Sequence, residues 1–237
     1  MKKKRKWLRG ILVISLLLIA GFAIFVSIYY PADAVARRYM ESDDTVKVEQ
    51  TKYGWLFDGP SSDSALIFYP GARVEETAYA PLLHELAANG IDVCLVKMPL
   101  RLASLGEKAA GGILDDYDYS NWYIGGHSLG GVVASGYASY HPASFSGVIL
   151  LGSYPLKKLP DSLKELMIIG SEDKILNEER ILRSRKYDSI QSVEYIIEGG
   201  NHSQFGSYGP QRGDGKSKIA GNIQVEETVN TIVKNLM

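Results

Sequence analysis

The stretch Gly126-His127-Ser128-Leu129-Gly130 sets one hydroxyl between two glycines, after the apolar run WYIGG and before the helix-like run SLGGVVASGYASYH. Ser128 is the residue here that could attack a carbonyl carbon. In a G-x-S-x-G turn between a strand and a helix, the serine is held in a strained conformation with its hydroxyl above the carboxyl end of a sheet. The glycines stand where strand and helix approach too closely for a Cβ. The same turn puts the Leu129 amide at a helix N-terminus, where it can donate to an oxyanion developing on a substrate. A serine hydroxyl is a weak nucleophile without a base, and the base needs an acid to orient it.

In turns of this kind the acid and the histidine follow the serine along the chain, acid first. His141 and His202 lie after Ser128. His141 closes a helix in SYHPASF, whereas His202 sits in EGGNHSQFG, on a loop directly after the last strand, and is the expected base. For the acid, IIGSEDKIL follows the preceding strand and offers Glu172 and Asp173. Both stand at a strand's carboxyl end, where the functional loops of parallel sheets gather. Asp173 is preferred, with Glu172 read as a solvated neighbour. Asp115, Asp116 and Asp118 precede the serine, and DDYD reads as turn acids rather than a metal site. A second oxyanion donor is expected from YPGARVEE, where Gly71 lets the backbone approach and the Ala72 amide is the candidate. Arg73 could meet an anionic substrate group or be an ordinary exposed arginine.

Two further features carry less. Gly215-Lys216-Ser217 resembles the end of a phosphate-binding loop, but the glycine required five positions before Gly215 is Pro210, and no strand precedes it. Cys94 is the only cysteine, so no intramolecular disulfide forms, and among the apolar neighbours of IDVCLVKM it reads as a small core residue. No metal or organic cofactor is implied.

The elements that must position these residues alternate. Val46–Phe57 suggests a hairpin. ALIFYP, IDVCLVKM, WYIGG, SGVILLGS, KELMIIGS and VEYIIEGG read as strands, separated by helices in APLLHELAANG, LRLASLGEKAAGGIL, SLGGVVASGYASYH and NEERILRSRKY, with VEETVNTIVKNLM closing the chain. The apolar runs lack a period of two, which predicts a mostly parallel sheet covered by helices on both faces.

At the other end of the chain, Lys2 to Arg9 hold six cations and no acid, and Gly10–Tyr30 is 21 residues without a charge. At about 1.5 Å per residue this stretch is roughly 30 Å long as a helix, a bilayer's hydrocarbon thickness. Residues 1–30 are therefore expected to be a cytoplasmic basic tail and a membrane anchor, residues 31–44 a linker, and residues 45–237 a catalytic body held outside the cytoplasm. The alternative is a cleaved signal at the A-x-A sites of PADAVA, near Ala34 or Ala36, although signal cores run about 7–15 residues. Beyond residue 30 the chain holds 20 basic and 27 acidic residues. That balance gives no electrostatic reason to expect nucleic acid as a partner.

Taken together, FYPGARV, YAPLLHELAANG, LVKMPLRLA, GGHSLGG, ILLGSYP and GGNHSQFGSYGPQRGDG resemble the α/β-hydrolase superfamily over Val46 to Met237. The likeness is to small bacterial hydrolases related in fold to dienelactone hydrolases. The resemblance implies Ser128 as nucleophile, His202 as base and Asp173 as acid. Dienelactone hydrolases proper use a cysteine nucleophile, and this chain has Ser128 there, so their substrate does not carry over. Only YPLKKLPDS separates two strands between which many hydrolases insert a lid, which implies an open site. The activity expected is hydrolysis of a small-molecule ester through an acyl-enzyme. Acyl transfer to a cell-surface hydroxyl and a non-catalytic binding role on the same scaffold are the alternatives.

Overall fold

The computed structural model describes residues 2–60 and 63–236, without the side chains of 2–6, 8–10 and 23–25 in the first helix. Among the described residues, eight strands form one sheet in the order β1-β2-β4-β3-β5-β6-β7-β8. β1 (Lys47–Gln50) and β2 (Gly54–Asp58) make the expected hairpin, and β2 pairs antiparallel with β4 (Asp92–Val96). From β4 onward the pairing is parallel, through β3 (Ser64–Tyr69), β5 (Asn121–His127), β6 (Gly147–Leu151), β7 (Lys164–Gly170) and β8 (Ser192–Ile197).

The apolar runs of the central strands lack a polar period because each of those strands feeds two cores, whereas β8 buries only Ile197. In β3, Leu66 and Phe68 enter one core while Ala65, Ile67 and Tyr69 enter the other. In β6, Ile149 and Leu151 face the first and Val148 and Leu150 the second. Successive side chains on a strand point to opposite faces, so a strand covered on both sides must be apolar throughout. The first face is covered by α3 (Ala80–Ala88) and α7 (Gly221–Leu236), which pack on each other, and the second by α5 (Leu129–Tyr140), laid across β3, β5 and β6. α4 (Ala109–Asp116) adds Ala110 and Ile113 to that second core. Cys94 is buried there too, as expected, and burial pushes its thiol up to about 12.

The N-terminal boundaries differ from those expected. α1 runs Lys2–Ser27, and its side chains from Ile11 to Phe22 are exposed. Among the described residues, no helix is long and apolar enough to cross a membrane. The span expected over residues 10–30 takes in Gly10 and residues 23–25, whose side chains lie outside the described ones, as do those of the six cations. The helix also stops at Ser27, because Tyr30 leaves it to bridge Val74 in parallel. Tyr30 N–H donates to the Arg73 carbonyl at 2.8 Å, and the Glu75 amide donates to the Tyr30 carbonyl at 2.9 Å.

Residues 31–44, expected as a linker, instead hold α2 (Ala34–Arg38). Asp33 caps it by accepting from the Val35 and Ala36 amides at 2.8 and 2.9 Å. Ala32 and Ala36 are buried in the first core. The A-x-A sites at Ala34 and Ala36 therefore lie inside a packed helix, which a cut there would sever.

Candidate active site

The elbow is built by a close approach. A Cβ on Gly126 would lie 2.2 Å from the Tyr69 carbonyl oxygen, and one on Gly130 would lie 2.0 Å from the same atom. β3 thus ends against the turn, and only glycine fits on either side of the serine. Between them Ser128 adopts φ 53°, ψ −124°, in a region non-glycine residues seldom occupy, at a cost of about 1–3 kcal/mol. Its amide donates to the Leu151 carbonyl at 2.9 Å, and its own carbonyl accepts from Ser153 Oγ at 2.7 Å. The strain is held by β6 and the loop after it.

His202 stands on the loop after β8, buried, with Nδ1 2.7 Å from Asp173 Oδ2. Asp173 follows β7, and its Oδ1 accepts from the Ile175 and Leu176 amides at 2.8 and 2.9 Å. Those two donors stabilise an ionised carboxylate, which can only accept, so the Nδ1 proton belongs to the imidazole. Nε2 is then the lone-pair nitrogen, buried and without a hydrogen-bond partner among the described residues. Ser128, Leu129 and His202 line one cleft of about 240 Å³, together with Val132, Tyr154, Ile175 and Arg180. No helix lies between β6 and β7, and that connection lends Gly152, Ser153 and Tyr154 to the cleft's lining.

Glu172, the other candidate acid, points away. It accepts a hydrogen bond from Lys218, which holds its carboxyl below the usual range. The Leu129 amide opens α5, one of the donors a helix leaves unpaired at its start. Ala72 sits in the turn after β3, half-buried, and is not among the residues lining that cleft. His141 stacks on Tyr137 at the far end of α5, a helix about 18 Å long. Asp116 pairs with Lys52 at 2.8 Å, away from the elbow. The guanidinium of Arg73 donates twice to the Ile28 carbonyl, at 2.8 and 2.6 Å, and so is turned to the N-terminal segment. Ser217 donates to the Gly199 carbonyl at 2.9 Å, so the Gly-Lys-Ser sequence braces the loop that leads to His202.

Four supporting side chains escaped the sequence reading. His127, inside the elbow motif, is buried beneath His202, with ring centroids 4.4 Å apart. Tyr79 OH accepts from the Gly71 amide at 2.9 Å and is hydrogen-bonded to His127 Nδ1, 2.8 Å away. Burial, then repulsion from a protonated His202, holds His127 well below the ordinary histidine range. It stays neutral and ties the β3 loop to the elbow. On the other side, Gln224 in α7 grips the backbone of Asn201, accepting from its amide at 2.9 Å and donating to its carbonyl at 2.8 Å. Asp214 accepts from the Ser203 amide at 2.8 Å and from the His202 amide at 3.4 Å. The one signal in the sequence was His127 itself, a polar ring at a position that must be buried beside the serine.

Ser128 and an imidazole oriented by Asp173 thus border the same cleft. Comparison with solved structures shows the same fold at low identity. A putative hydrolase from Agrobacterium vitis superposes with TM-score 0.60 at 12% identity, over 81% of this chain and 99% of that one. A dienelactone hydrolase from Anabaena variabilis gives 0.58 at 12%, over 80% and 98%. Est1E from Butyrivibrio proteoclasticus gives 0.55 at 12%, over 81% and 99%. No curated protein matches the chain. The model of the alpha/beta hydrolase family matches residues 65–226, more than half of the sequence, and the chain belongs to that family.

Proposed function

We propose that the protein is a serine hydrolase of carboxylic esters, with Ser128 as nucleophile, His202 as base and Asp173 as the orienting acid. The observation that carries this reading is the 2.7 Å contact between His202 and Asp173, with the unpartnered Nε2 buried beside the cleft that Ser128 lines. Ser128 Oγ attacks the acyl carbon while its proton passes to Nε2, and the carbonyl electron pair moves to oxygen. The Leu129 and Ala72 amides are the proposed donors to that oxyanion. Collapse expels the alkoxide, which takes the proton back from His202, and leaves an acyl-serine. Water repeats the sequence and releases the acid. Asp173 keeps the Nδ1 proton in place and offsets the charge that His202 gains.

The dienelactone hydrolase among the structural neighbours acts, by its name, on a cyclic ester, which supports ester chemistry over other hydrolyses. Turnover of a panel of short- and long-chain acyl esters tests the reading. Free acid as the product supports hydrolysis. Acyl glycerol formed in the presence of glycerol would favour transfer to a hydroxyl instead, and no product from any ester would favour a binding role.

We further propose that the N-terminal segment holds the body at the outer face of a membrane. The six leading cations and the 21 uncharged residues after them support this. Full-length protein should then pellet with membranes through a high-salt wash, and protease added to intact spheroplasts should digest the body. Release by salt, or protection from the protease, would refute it.

A further inference from the structure

The connection after β7 and α6 (Glu178–Ser184) forms the outer wall of the Ser128 cleft. Behind that wall lies a second hollow of about 330 Å³, which shares Tyr154 and Arg180 with the first. Its other lining includes Leu156, Arg183, Lys186 and Tyr187. Among the described residues, no acidic side chain lines either hollow. That is unexpected on a body where acids outnumber bases 27 to 20. Of the three cations, Arg183 is paired with Glu179 one turn earlier, and Lys186 lies over the Tyr187 ring. Arg180 is exposed, and among the described residues its guanidinium has no carboxylate or hydrogen-bond partner.

An exposed arginine is often merely solvated. Arg180 differs in its place, because it borders both the cleft holding the candidate nucleophile and the cationic hollow beyond it. Clustered cations in an acidic surface focus a local positive potential, and the planar guanidinium fork matches a carboxylate or a phosphoryl group with two parallel hydrogen bonds.

From this, and resting on the ester-hydrolase reading for which end of the substrate reacts, we propose that the substrate carries an anionic group. With the scissile carbonyl at Ser128, the other arm passes Tyr154 and its anion is held by Arg180, with Lys186 behind it. Neutral esters fill the cleft and leave the cationic hollow empty.

Binding by full-length Ser128→Ala protein tests this without turnover. Calorimetric titration with phenyl hemiglutarate and with phenyl valerate, its neutral counterpart, should show the anionic ester bound at least about tenfold more tightly, or 1.4 kcal/mol. Phenyl 4-phosphonobutyrate distinguishes a preference for phosphoryl from one for carboxylate. Adding Arg180→Gln should bring the ratio close to one, and Lys186→Gln should lower it partway. Equal affinities, a ratio that survives Arg180→Gln, or no binding of either anionic ester at millimolar concentration would each overturn the proposal. The hydrolase reading stands or falls separately, on whether the unsubstituted protein cleaves phenyl valerate.

Discussion

Gln224→Leu should loosen the loop that carries His202. Gln224 is fully buried, and its amide is the partner of both backbone groups of Asn201, the residue immediately before the proposed base. Asn201 is itself 7% exposed, so water cannot replace the lost bonds without the loop moving. Each buried backbone group left unpaired costs about 1–3 kcal/mol, which gives about 2–6 kcal/mol for the two. Burying the leucine side chain returns about 1 kcal/mol, since most of the glutamine's carbons were buried already. The net loss of about 1–5 kcal/mol is a large share of a typical stability of 5–15 kcal/mol, at roughly 2–4 °C of Tm per kcal/mol for a domain of this size. Urea denaturation read by tryptophan fluorescence measures the loss. Activity at a temperature where the variant stays folded measures what happens to the site. A misplacement of about 1 Å at a reacting group can cost on the order of 100-fold, so kcat should fall more than KM rises. A midpoint shift worth under about 0.5 kcal/mol together with an unchanged kcat would show that Gln224 does not hold the loop.

Three other predictions follow from particular contacts. Asp173→Asn should lower kcat severely, on the order of 10⁴-fold, because the amide can leave His202 in the wrong tautomer, whereas Glu172→Gln should be mild; steady-state kinetics showing the reverse order would move the acid to Glu172. Burial raises the Glu165 carboxyl from 4.5 to about 7, so the fold favours its protonated form. Glu165's contribution to stability should therefore be fully present below pH 4.5 and be lost, by up to about 3 kcal/mol, as pH rises to about 7; Glu165→Gln, which keeps an oxygen for the Ser189 amide, should raise the urea midpoint at pH 7 relative to pH 4.5 compared with the unsubstituted protein, and an unchanged difference would rule Glu165 out as its source. A chain beginning at Pro31 loses the two Tyr30 backbone bonds and the Ile28 acceptor of Arg73, beside the proposed oxyanion loop. It should be less stable than one beginning at Ser27 by about 1–4 kcal/mol and have a lower kcat, and equal behaviour would mean that this segment does not brace the loop.

What the sequence made legible was local. Apolar runs such as ALIFYP and SGVILLGS announced strands buried on both faces, and Gly126 and Gly130 announced the close approach of β3 to the elbow. The placing of His202 and Asp173 after successive strands was readable because a parallel sheet gathers its loops at one edge. Contacts between residues distant in the chain left no such trace. Tyr30 bridging Val74, Tyr79 reaching His127 and Gln224 gripping Asn201 are each a single hydrogen-bonding side chain or backbone pair, with no period to reveal it. For the same reason the body was expected to begin at residue 45, whereas Ala32 and Ala36 pack into its core. Arg73, weighed as a substrate contact, is held instead by the Ile28 carbonyl, a partner that the sequence does not indicate.

The most direct test is to identify the residue that becomes acylated. A fluorophosphonate probe incubated with the full-length protein should label one residue per chain, and peptide mass mapping should place the adduct on Ser128. Ser128→Ala should stay unlabelled, remain folded, and hydrolyse a short-chain phenyl ester at least about 10³-fold more slowly than the unsubstituted protein. An adduct on another residue, or a Ser128→Ala protein that keeps more than about a tenth of the activity, would contradict the assignment of Ser128 as the nucleophile.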